Sequence, residues 1–234
     1  MERQAALAIA PKLTAPFSVV GSVLMARSIL AKAKRKSYHE LLLFLACSDV
    51  LSSFAWFLST WPIPKGTEGV AYASGTTATC TAHGFFLQLS LATPCLNASL
   101  AAYYLAASRY QVSEERLKKL LPYVLASCLV IPLGTAIAGL IMKSFNNAIF
   151  WCWINNFPLG CESGGLVACE RGANADILRW AFYFGPLWFS FFFQIICFVL
   201  IYLYVLGIEE KNDRWRIVPN MRRGTTAEHR KYSR

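Results

Sequence analysis

The sequence predicts an all-α fold, a polytopic bundle of five transmembrane helices. Five apolar stretches, at about 13–30, 39–61, 82–110, 120–142 and 178–208, each meet the ~20 predominantly apolar residues needed to cross ~30 Å of hydrocarbon. Hydrophobic residues make up 56% of the 234, which leaves too little loop for a separate soluble domain. Basic residues also alternate by side. Five lie at the first connection (Arg27, Lys32, Lys34, Arg35, Lys36), four at the third (Arg109, Arg116, Lys118, Lys119) and eight after the fifth stretch, against six on the other side (Arg3, Lys12, Lys65, Lys143, Arg171, Arg179). The positive-inside rule then puts the N-terminus outside and the C-terminus in the cytoplasm, with the plasma membrane as the expected location. Topology and attraction to the lipid bilayer account for the net charge of +10, so no nucleic-acid function is read from it.

Ahead of the first stretch, Arg3 and Lys12 flank an apolar run of six residues, shorter than a signal-peptide core. The first helix is therefore expected to act as its own uncleaved insertion signal. The second stretch contains Asp49, the only acid deep in a span. An ionisable group at that depth is costly and should face the interior. It reads either as an ion- or proton-sensing position or as an interior polar hub shared with Asn97 and nearby serines.

In the third stretch Pro94 frees the carbonyl of Ser90, which predicts a kink, and Pro132 and Pro186 predict the same in the fourth and fifth. Asn97-Ala98-Ser99 is a glycosylation sequon that lies mid-helix, out of reach of the modifying enzyme. Arg109 at the inner end is either a snorkelling anchor or a switch residue. Residues 111–119 read as a short amphipathic helix supported by Glu114→Lys118 and Glu115→Lys119 pairs.

Four of the eight cysteines, Cys80, Cys152, Cys161 and Cys169, fall on the outer side, where an oxidising compartment favours two disulfides. Three connectivities are open. Cys80–Cys152 would staple the outer loop to the third helix, with Cys161–Cys169 closing a small Gly-rich loop. Cys47, Cys95, Cys128 and Cys197 lie within helices and read as small packing residues. Trp56, Trp61, Trp151, Trp153, Trp180 and Trp188 read mostly as an interfacial aromatic belt. The aromatic fifth stretch fits lipid contact. The three histidines are scattered, and no nucleophile motif or metal-ligand spacing appears, so neither an enzyme, nor a metal, nor a cofactor is expected.

In order and spacing these pieces resemble the seven-helix G-protein-coupled receptors, and more closely their cyclic-AMP-receptor-like and secretin-like branch with its relatives in unicellular algae. The quotable matches are Ser48-Asp49-Val50-Leu51-Ser52-Ser53, Thr60-Trp61-Pro62-Ile63-Pro64, Cys80-Thr81-Ala82-His83-Gly84-Phe85-Phe86, Trp151-Cys152-Trp153-Ile154, and Ser113-Glu114-Glu115-Arg116 after Arg109-Tyr110. The resemblance implies an outer disulfide between Cys80 and Cys152. It also implies that Arg109, Tyr110, Glu114 and Arg116 face a heterotrimeric G protein, and that Asp49 is an interior hub. The partners it implies are that G protein and a small-molecule or peptide ligand. Two features depart from the family: Ser108 stands where many rhodopsin-like receptors have an acid, and no sixth or seventh span follows. Residues 1–208 are expected to form the bundle and 209–234 a basic cytoplasmic segment like a third inner loop, so that the chain reads as an incomplete receptor. A small multi-pass transporter or channel, suggested by Asp49, Asn97 and the prolines, and a truncated receptor-associated partner are the alternatives.

Overall fold

The computed structural model describes residues 2–161 and 168–231, with side chains at 6, 8–161 and 168–211. Its helices are α1 (Glu2–Leu30), α2 (Ser37–Leu58), α3 (Thr77–Leu89), α4 (Ala92–Ser108), α5 (Glu114–Ile141), α6 (Ala175–Arg179) and α7 (Gly185–Lys231); a π-helical turn, Trp180–Phe184, joins the last two. A small antiparallel hairpin of β1 (Phe145–Asn147) and β2 (Cys152–Ile154) follows α5. Among the described residues, five helical spans are long and apolar enough to cross a membrane, with α3 and α4 together forming the third. Much of their surface is apolar and outward-facing, as at Phe17, Tyr123, Phe189 and Phe192. These features describe a multi-pass membrane bundle.

The prolines shape the spans in different ways. Near Pro94 the third span breaks at Ser90 and Leu91 into two helices, and the freed Ser90 carbonyl accepts from the Thr93 N–H at 3.1 Å. Pro132 lies inside the continuous α5. Pro186 follows the π turn, in which the Gly185 N–H bonds the Trp180 carbonyl.

Several boundaries differ from the sequence expectation. Helix α1 starts at Glu2, because the Ala-rich run before Lys12 is a good helix former. Residues 114–119 are not a separate helix: Ser113 caps a helix that runs into the fourth span, since nothing between Lys119 and Leu120 breaks it. Beyond 208, the backbone of α7 continues through Lys231.

Apolar clusters among the described residues hold the bundle, one of them Ile63, Cys80 and Cys152 around the disulfide. At the end of the bundle that carries Glu114, Leu41, Leu45, Leu96, Leu121 and Cys128 join α2, α4 and α5. At the opposite end Phe145, Ile154, Ala175 and Leu178 pack the hairpin against α6. The Phe145 ring is fully buried between two glycines: an added Cβ would lie 2.8 Å from it at Gly84 and 2.6 Å from it at Gly139. Both helices can approach the ring because neither glycine has a side chain.

Candidate functional site

Beneath the hairpin, α2, α4 and the fifth span line an open cavity of about 300 Å³, with Ser52, Trp56, Thr93, Asn97, Tyr183 and Gln194 among its walls. A second space of about 130 Å³ adjoins it through Trp56, Ser90 and Tyr183 and reaches Trp151, Trp153 and Phe184. The aromatic walls meet edge to face, Trp56 with Trp151 at 5.0 Å and Trp153 with Tyr183 at 5.0 Å. Trp56, Trp151 and Trp153 thus build an internal cluster instead of the expected belt, while Trp61, Trp180 and Trp188 remain exposed. Sequence could not separate the two groups, since an amphipathic indole suits an aromatic wall and a membrane interface equally.

The roof is tethered at several points. Cys80 is bonded to Cys152, and Cys161 to Cys169. His83 is buried: its Nε2 lies 2.8 Å from the Ala55 carbonyl oxygen, and its Nδ1 accepts the Cys152 N–H at 3.3 Å. A carbonyl can only accept and an N–H can only donate, so the ring carries its proton on Nε2. One histidine thereby ties α2 and α3 to the strand that holds the disulfide. Arg179 adds a clasp from α6, donating to the Ile154 carbonyl at 2.9 Å and to the Asn155 side chain.

The polar centre of this region is Gln88, which is fully buried. Its amide oxygen accepts the Trp153 indole N–H at 3.1 Å. Its Nε2 donates to the Phe182 carbonyl at 2.9 Å and to Thr135 Oγ1 at 3.1 Å. Pro186 has no N–H for the carbonyl four residues back, which is that of Phe182, and Gln88 takes the vacant place. The sequence signal for Gln88 was available in the orphan carbonyl that Pro186 implies.

Of the expected interior hub, half-buried Asp49 lies beside Thr93, whose hydroxyl is 2.9 Å from Ser48 Oγ. Asn97 lines the cavity itself. Thr93 also lines the cavity, so it stands between Asp49 and that wall. Cys128 and Cys197 are buried as expected, but Cys47 faces outward.

The residues expected at the G-protein side part company. Glu114 turns inward, accepting the Ser37 N–H at 2.6 Å and the Tyr103 hydroxyl at 2.8 Å, and so joins the start of α2 to α4. The expected pairs to Lys118 and Lys119 do not close among the described residues. Arg109 donates to the Leu200 carbonyl on α7 at 3.3 Å and lies 5.9 Å from the Tyr110 ring. Ser108 bonds back to the Tyr104 carbonyl of its own helix. Tyr110 and Arg116 are exposed. No group of metal-ligating side chains occurs among the described residues.

No protein-family model matches the sequence, and no curated protein is significantly similar to it.

Proposed function

We propose that this chain is a receptor-like membrane protein on the G-protein-coupled receptor plan, contributing the first five spans of that plan, with its N-terminus outside and its inner loops facing a heterotrimeric G protein at the plasma membrane. The observation that carries the reading is the cavity under a hairpin disulfide-bonded to the third span, lined by α4, the helix whose far end holds Arg109. A ligand seated there touches α2, α4 and the fifth span at once. Its neutral amides, hydroxyls and aromatic faces suit an uncharged ligand with a flat ring and hydrogen-bonding edges. Ligand-driven motion between α4 and α7 would alter the Arg109 to Leu200 contact and change the surface offered to the G protein. The chemistry of guanine-nucleotide exchange then belongs to the partner, and the chain itself is not an enzyme.

The test is nucleotide exchange on Gα co-reconstituted with the full chain in vesicles, comparing wild type with Arg109→Ala. Exchange above protein-free vesicles that falls in the variant supports the reading. Exchange equal to protein-free vesicles for both proteins overturns it.

A further inference from the structure

On the membrane-facing side of α3, away from the cavity, an open groove of about 800 Å³ runs between α3 and the outer end of α5. Its two ends differ in chemistry. The inner part is walled by Phe85, Phe86 and Leu140, and the outer rim carries Lys143 and Arg171. No carboxylate is among the described residues that line it.

The rim is built for an anion. Arg171 donates to Thr81 Oγ1 at 3.2 Å, and its Nε is buried with no hydrogen-bond partner among the described residues. A guanidinium at the rim offers a phosphate oxygen charge-assisted hydrogen bonds, which are stronger than neutral ones. Lys143, just past the end of α5, is exposed and forms no ion pair among the described residues. Thr77 and Ala78, in the first turn of α3, also line the groove, and their backbone N–H groups have no acceptor within the helix.

We propose that this groove binds the phosphodiester headgroup of an outer-leaflet phospholipid, with Lys143 and Arg171 on the phosphate and one acyl chain along Phe85, Phe86 and Leu140. A free anion would use the rim alone. The apolar floor continuing into the membrane favours a lipid, because it places a chain below the phosphate at the depth where chains lie. Bound there, the lipid would brace α3 against α5 directly behind the hairpin.

Native mass spectrometry of the oxidised full chain, titrated in detergent with phosphatidylglycerol or with diacylglycerol of the same chains, tests this. Wild type is expected to retain phosphatidylglycerol selectively. Lys143→Gln and Arg171→Gln should each weaken retention by about tenfold, and Lys143→Arg should preserve it. Peptide mapping of the Cys80–Cys152 bond checks folding; should Arg171→Gln fail that check, the two Lys143 variants decide. Equal retention of the two lipids, or retention unchanged by Lys143→Gln, overturns the proposal. So does millimolar inorganic phosphate that binds as well as the lipid and displaces it, since the site would then be one for a free anion.

Discussion

The indole N–H of Trp153 donates to the side-chain oxygen of Gln88 across 3.1 Å, joining the hairpin roof to the third span. The same amide holds the Phe182 carbonyl and Thr135, so roof, fourth span and fifth span meet on one side chain. Replacing Gln88 by Leu removes all three bonds and leaves the Trp153 N–H and the Phe182 carbonyl without their partner. Thermal unfolding in detergent should show a loss of about 1–3 kcal/mol. A change near zero would mean that water or neighbouring groups already serve those atoms.

Gly139→Ala places a methyl 2.6 Å from the Phe145 ring. The expected cost is about 1–3 kcal/mol, with partial recovery when Phe145→Leu is added. Gly134→Ala on the same helix is the control, since nothing lies within 4 Å of its added Cβ. If both glycine variants unfold at the same temperature, Phe145 is not packed as described.

Mass spectrometry of non-reduced peptides should recover Cys80 linked to Cys152 and Cys161 linked to Cys169. The sequence separations are 72 and 8 residues. The chain-entropy relation then makes the first bond worth about 4 kcal/mol and the second about 2.5 kcal/mol, so Cys80→Ser with Cys152→Ser should lower the unfolding midpoint more than the other double variant does. Free thiols at Cys80 and Cys152 in mature protein would sink this expectation.

Glu114 and Tyr103 form a pair suited to a double-mutant cycle. Glu114→Gln and Tyr103→Phe should each destabilise the protein, with a coupling of about 1 kcal/mol between them. Strictly additive losses would show that the 2.8 Å contact contributes nothing of its own.

Orientation is tested by labelling intact cells with a membrane-impermeant maleimide. Ser74→Cys should react from outside and Lys34→Cys only after permeabilisation. The reverse pattern would invert the proposed topology.

The sequence made the spans legible because hydropathy over a bilayer's thickness is a long, redundant signal. Their ends were less so: Glu2 to Lys12 lacks the apolar density of a span yet continues the helix, and the turn at Ser113 had no Pro or Gly to mark it. The break beside Pro94 was foreseeable from one missing N–H. Gln88 escaped notice, and His83 stood only as one of three scattered histidines, because a lone neutral polar residue in a span looks ordinary until its partners are known, and those partners lie as far off as Phe182 and Cys152. Glu114 was read by its helical neighbours, whereas its oxygens go to residues brought near by tertiary packing.

The π turn at Trp180–Phe184 acts as a phase shifter for everything after it. One residue more than an α-helical turn would hold rotates the rest of the fifth span by about 100° relative to an uninterrupted α-helix. That offset points Ser190 toward Cys95 and brings the Leu200 carbonyl within reach of Arg109. Deleting a single residue from the turn would therefore swing a different stripe of α7 against α4 along its whole buried length, an angular error that no substitution further down the helix could undo.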